Sequence, residues 1–83
     1  VYEIGSGGTN LLRVDVPPML VGKEIRDITA PGEIHVTAIT RGNKSFLPTL
    51  RTTLEHGDIL YIAVINSAKD TLRSMLGVSK GGL

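Results

Sequence analysis

Seven consecutive residues, Ile59-Leu60-Tyr61-Ile62-Ala63-Val64-Ile65, constrain this chain more than any other feature. The run is far short of the ~20 apolar residues a membrane helix needs. Successive strand side chains point to opposite faces, so a strand apolar throughout must be covered on both sides. It therefore reads as the central strand of a sheet. The domain's own helices can meet one face, and a partner subunit is a candidate cover for the other. With 83 residues there is material for one core and no second. A chain of that length buries only about 60–65% of the surface its unfolded form exposes. Cysteine is absent, so neither disulfides nor a thiolate metal site reinforces it. Yet 41% of the residues are hydrophobic and the mean hydropathy is positive. Self-association is a natural outlet for that surplus.

The remaining elements follow from periodicity. Residues 1–10 contain Gly5-Ser6-Gly7-Gly8 and read as a linker or a preceding short strand. Leu12, Val14 and Val16 alternate with Arg13 and Asp15 at strand spacing, and Pro17-Pro18 stops the ladder. Val21, Ile25 and Ile28 share one face of a short predicted helix, with Gly22 at its start and Pro31-Gly32 beyond its end. Ile34, Val36 and Ala38 alternate with His35 and Thr37 in the next strand. Arg41-Gly42-Asn43-Lys44 is a hairpin signal, with Gly-Asn supplying the positive φ of a two-residue turn, and the return strand ends at Pro48. Leu50 and Leu54 are the expected anchors of a polar connection, and Gly57-Asp58 turns the chain into the central strand. A final helix is capped by Asn66 or Ser67, with Asp70 placed for a capping-box contact. Its buried stripe is Ala68, Leu72, Met75 and Leu76, and Gly77 stops it. The fold class is α+β: a small β-α-β-β-β-α domain with a mostly antiparallel sheet and helices packed on it. The domain occupies residues 11–77, followed by a flexible tail at 78–83.

The chemistry-bearing patterns fail on their contexts. The early glycine run leads into a strand, whereas a dinucleotide fingerprint opens a helix. Gly42-Asn43-Lys44-Ser45 lacks the glycines of a phosphate loop, and His35 and His56 lack the partners of a metal set. Ser45, His35 and Asp58 form a triad only on paper, without a nucleophile elbow. Nine basic against eight acidic residues give no basic stripe for nucleic acid. No enzyme is indicated. The chain begins at Val1 rather than Met and shows no signal peptide, so it is expected to be a piece of a longer protein.

Three ordered motifs carry a resemblance. They are Leu20-Val21-Gly22-Lys23-Glu24-Ile25-Arg26-Asp27-Ile28, then Ala38-Ile39-Thr40-Arg41-Gly42 with Phe46-Leu47-Pro48, and Thr53-Leu54-Glu55-His56-Gly57-Asp58-Ile59-Leu60. Together they resemble the TrkA C-terminal domain, the C-terminal lobe of the RCK (regulator of potassium conductance) fold of potassium-uptake regulators. The resemblance implies a regulatory and assembly domain of a cytoplasmic gating ring that controls potassium transport. It implies a homodimer, peripheral to the inner membrane face through a potassium transporter or channel subunit. A Rossmann-like N-terminal lobe or sister subunit would carry NAD(H) or an adenine nucleotide; no cofactor is expected on this chain. The alternative is a ligand-sensing domain of another transporter, an antiporter or anion exchanger.

In some family members the dimer cleft binds cyclic di-AMP. Carried across by position, that cleft falls at Ile28, Thr29, Ala30 and His35. Thr29 stands where the family has arginine, His35 stands where it has asparagine, and Ala30-Pro31-Gly32 replaces a basic, aromatic stretch. Arginine grips a phosphate with two donors, whereas threonine offers one hydroxyl. The departures shift the expected role from ligand sensing towards assembly.

Overall fold

The structure, a computed structural model, describes the backbone of residues 2–4 and residues 8–77 in full. Five strands form one antiparallel sheet in the order β1-β2-β5-β3-β4. They are β1 (Tyr2–Ile4), β2 (Thr9–Asp15), β3 (Ile34–Arg41), β4 (Lys44–Phe46) and β5 (Ile59–Ile65). The apolar run is the middle strand, as its composition requires. Leu60, Ile62 and Val64 on β5 are fully buried, whereas Ile59, Tyr61, Ala63 and Ile65 on the opposite face are only half-buried. The expected tail at residues 78–83 and the glycines at 5–7 lie outside the described residues.

One helix, α1 (Lys69–Leu76), packs on the buried face through Leu72 and Leu76. A 3-10 turn, Asn66–Ala68, leads into it, with Ala68 buried and Met75 half-buried beside the core. The helix ends at Gly77, whose left-handed φ of 69° suits glycine. A Cβ there would also meet the Met19 sulfur, the far end of a flexible and largely exposed side chain that can move aside, so the backbone conformation is what favours glycine. The expected capping roles differ. Neither Asn66 nor Ser67 caps α1 by a side-chain bond, and Asp70 accepts from Arg73 Nη1 at 2.7 Å. The intervening turn moves Asn66 away from the cap, and its Oδ1 accepts from the buried Asn10 of β2.

The predicted helix spanning Val21, Ile25 and Ile28 is replaced by two 3-10 turns, Pro18–Leu20 and Ile25–Ile28. Backbone competition explains the difference. The N–H groups of Gly22, Ile25 and Arg26 donate to the carbonyls of Leu54, Thr52 and Leu50 at 2.9 Å each, and Leu54 returns a bond to Lys23. Those donors are therefore unavailable to an α-helix. Val21 is exposed as a result, while Ile25 and Ile28 remain in the core. Of the expected anchors Leu54 is buried, but Leu50 is 56% exposed, because its loop is held by its carbonyl instead.

The β3–β4 hairpin forms at the expected place, with Arg41 opposite Lys44 and Gly42 at φ 62°. The alternation in β3 is broken, however. A bulge between Val36 and Ala38 inserts Thr37, whose hydroxyl donates to the Tyr61 carbonyl at 2.9 Å. Ala38 is then opposite Tyr61 on the open face, and Ile39 takes the buried position expected of Ala38.

Asp58 ties these parts together. Its side chain is fully buried and accepts from Arg41 Nε and Nη2, both at 2.8 Å, and from the Glu55 N–H at 2.9 Å. Arg41 also donates to the Thr53 carbonyl, pairs with Glu55 and lies over the Phe46 ring. The Arg41 guanidinium holds the Asp58 carboxyl below its usual value, against the opposing effect of burial and with help from the Glu55 amide.

Two stability tests follow. Gly22 sits at φ 90° with open space where a Cβ would stand, so Gly22→Ala meets backbone strain alone. Chemical denaturation should show a loss of about 1–2 kcal/mol; an unchanged midpoint would contradict the assignment. Asp58→Asn should lose about 2–4 kcal/mol at neutral pH, because Arg41 keeps its charge without its carboxylate partner. The parent's pairing contributes fully above the unfolded carboxyl pKa of about 4 and is lost as pH falls through the lower folded value. Parent and variant stabilities should therefore converge in acid.

Candidate functional site

An open groove of about 200 Å³ lies where the C-terminal end of β5 meets the turn into β3. Its floor is Ala63, Val64 and Ile65, and Thr9 of β2 flanks it. The opposite wall is Gly32, Glu33 and His35. The wall is held in place by backbone bonds: Ala30 and Ile34 exchange both N–H···O bonds at 3.0 and 2.8 Å, and the Ile65 N–H donates to Glu33 at 3.0 Å. The exposed His35 accepts the Gly32 N–H at Nε2, 3.3 Å away, so the neutral ring carries its proton on Nδ1. The groove can therefore offer an imidazole N–H, a carboxylate and an apolar floor. That set suits binding. It lacks the activated nucleophile that covalent chemistry requires.

The four residues singled out by resemblance are placed unequally. Ile28 is 1% exposed and its side chain belongs to the core. The Thr29 hydroxyl donates to the Ile25 carbonyl at 2.8 Å. Ala30 closes the turn against Ile34, and His35 alone of the four lines the groove. Ser45, His35 and Asp58 are not brought together. His35 faces Ala63 at one end of β5, whereas Asp58 precedes its other end, and Ser45 bonds Thr40. Among the described residues no cluster of three or more His, Asp or Glu could hold a metal ion. Thr9, Glu33, Ala63 and Ile65 were not singled out in the sequence. The alternation of β5 could have paired Ala63 with Ile65, but Thr9 joins them only through strand order.

The groove opens onto the half-exposed face of the sheet. On that face Leu11, Ala63 and His35 form one row, Arg13, Tyr61 and Ala38 the next, and Asp15, Ile59 and Thr40 the third. Hydrogen bonds from Arg13, and then from Thr40, hold the Tyr61 phenol below its ordinary pKa. In a Tyr2→Phe background, absorbance titration should find Tyr61 ionising below the usual value of about 10. Arg13→Ala should move it back up; an unmoved titration would mean that Arg13 does not reach the phenol.

The chain matches the TrkA-C domain family over residues 11–77. It is also similar to a solved structure of an RCK domain with cda, at 25% sequence identity and a TM-score of 0.64. That similarity covers 80% of this chain and 96% of the other. Comparison with curated proteins gives no match. Domains of the TrkA-C and RCK type are generally non-enzymatic regulators. By the extent of the family match and the α+β fold of an RCK C-terminal lobe, the chain belongs to the TrkA-C domain family.

Proposed function

We propose that this chain is a regulatory and assembly domain of a cytoplasmic ring controlling potassium transport, and that it acts as a homodimer. The family match over residues 11–77 carries the reading, because a TrkA-C domain fits a regulatory role in potassium transport systems. Self-association is supported by a small, cysteine-free core beside a half-exposed apolar sheet face. The ring would sit at the inner membrane face, held by the transporter subunit. A Rossmann-like lobe or sister subunit would supply any NAD(H) or adenine-nucleotide site.

Ligand sensing takes second place in this reading. Thr29 gives its one hydroxyl proton to the Ile25 carbonyl, so it offers no grip on a phosphate comparable to a guanidinium fork. The groove beside His35 is the place where a small ligand would act on the dimer.

Two measurements test the proposal. In cells whose potassium uptake depends on the full-length protein, deleting residues 11–77 should abolish the regulation of uptake. Unchanged regulation would overturn the role. In vitro, the melting temperature of the chain should rise with its own concentration, as dimer mass action requires, and NADH or ATP should leave it unmoved. Cyclic di-AMP at about 100 times its dissociation constant would add about 2.7 kcal/mol if it bound the native state. Such a shift would restore ligand sensing to the first place.

A further inference from the structure

We propose that the loop from Leu47 to Arg51 docks this chain onto a bilayer carrying anionic phospholipids. Leu47 and Leu50 enter the headgroup region, while Lys44 and Arg51 meet the lipid phosphates. This contact goes beyond the ring proposed above and does not depend on it. Leu47 is 81% exposed, and Leu50, three positions later, is 56% exposed. Neither packs on the core, yet the loop that carries them is braced. Pro48 fixes one φ. The Thr49 N–H donates to Thr52 Oγ1 at 2.9 Å, and the Thr52 N–H donates to the Thr49 carbonyl at 3.1 Å. The Leu50 carbonyl accepts from the Arg26 N–H, which ties the loop to the segment beside it. The backbone between the two leucines is thus set before any contact, which lowers the entropy lost on docking.

Charge and side-chain type select the occupant. Lys44, three positions before Leu47, and Arg51, next to Leu50, are exposed and enter no ion pair among the described residues. The acidic groups of the neighbouring segments are engaged within the chain. Glu24 pairs with Arg26, Asp27 accepts the Glu24 N–H at 2.9 Å, and Glu55 and Asp58 both pair with Arg41. Asp15 is exposed at the same end of the sheet, but β2 lies three strands from β4, about 14 Å away at the usual strand spacing. The free charged donors beside the leucines are therefore cationic. A lipid headgroup is the anion that meets them directly above an apolar layer, where basic side chains lie with their heads at phosphate level. Protein hot spots, by contrast, are drawn from Trp, Tyr and Arg, and leucine is under-represented there. Firm attachment to a bilayer takes apolar insertion and basic contact together. Both are present between Lys44 and Arg51. Met19, the other side chain of comparable exposure, follows two prolines, has no basic neighbour in sequence and lies against Gly77.

The test is co-sedimentation of the 83-residue chain with vesicles of phosphatidylglycerol and phosphatidylcholine, against vesicles of phosphatidylcholine alone. The anionic vesicles should bind the chain about tenfold more tightly or better, and added salt should weaken that binding. Replacing both basic groups, by Lys44→Gln with Arg51→Gln, should cost about twentyfold. Leu47→Ser with Leu50→Ser should cost about tenfold or more, and Met19→Ser should change nothing. All of these side chains are exposed, and thermal unfolding checks that each variant folds. The chain has no tryptophan, so Leu47→Trp supplies a single fluorescent reporter. Its emission should shift to the blue on anionic vesicles, and that of Met19→Trp should not. Equal binding to the two kinds of vesicle, binding that the leucine substitutions leave intact, or a Leu47→Trp emission unmoved by lipid would overturn the proposal. Capture of an acidic protein by this loop without any binding to vesicles would overturn it too.

Discussion

A buried carboxylate organises the lower half of this domain. Asp58 lies at the threshold of β5 with no solvent exposure, where an unpaired charge would cost several kcal/mol. Two guanidinium nitrogens of Arg41 and the amide of Glu55 offset that cost. Since Arg41 ends β3 and faces the β3–β4 turn, the same contacts fix where the hairpin lies relative to the central strand. They also draw the Thr53–Glu55 loop against the sheet, and the stretch from Leu50 to Leu54 that runs into it supplies the carbonyls that occupy Gly22, Ile25 and Arg26. The irregular segment opposite is thereby held without a helix. A single ionised side chain thus sets a strand register, a hairpin position and a loop conformation.

Elements specified by neighbouring residues were legible in the sequence. The apolar run of β5, the Leu72/Leu76 spacing of α1 and the turn at Gly42 depend on local pattern, and all three occur where the pattern places them. What was hidden depends on distant groups. The helical spacing of Val21, Ile25 and Ile28 is real, yet carbonyls about 30 residues away claim the backbone donors that a helix would use. Asp58 was readable as a turn residue, but its pairing with a residue 17 positions earlier was not. The cap expected of Asp70 failed because a 3-10 turn intervenes before α1 begins.

The candidate site divides in the same way. His35 was legible because alternation directs it away from Ile34 and Val36. Ala63 and Thr9 join it only because β2, β5 and β3 are adjacent, and strand order is not written in the periodicity of any one strand. Position by position, resemblance led to Ile28, Thr29 and Ala30. In this chain those residues build the approach to the groove: one fills the core, one satisfies a carbonyl and one closes a turn.

The extra residue at Thr37 controls how adhesive the exposed sheet is. Without it, β3 would keep one phase throughout and present Ile39 to the outside while Ala38 turned inward. With it, the strand changes phase midway. The bulky side chain fills the core, and the smallest available one is shown to solvent beside Tyr61. The outer surface is therefore smoother and less greasy than the raw sequence of β3 suggests.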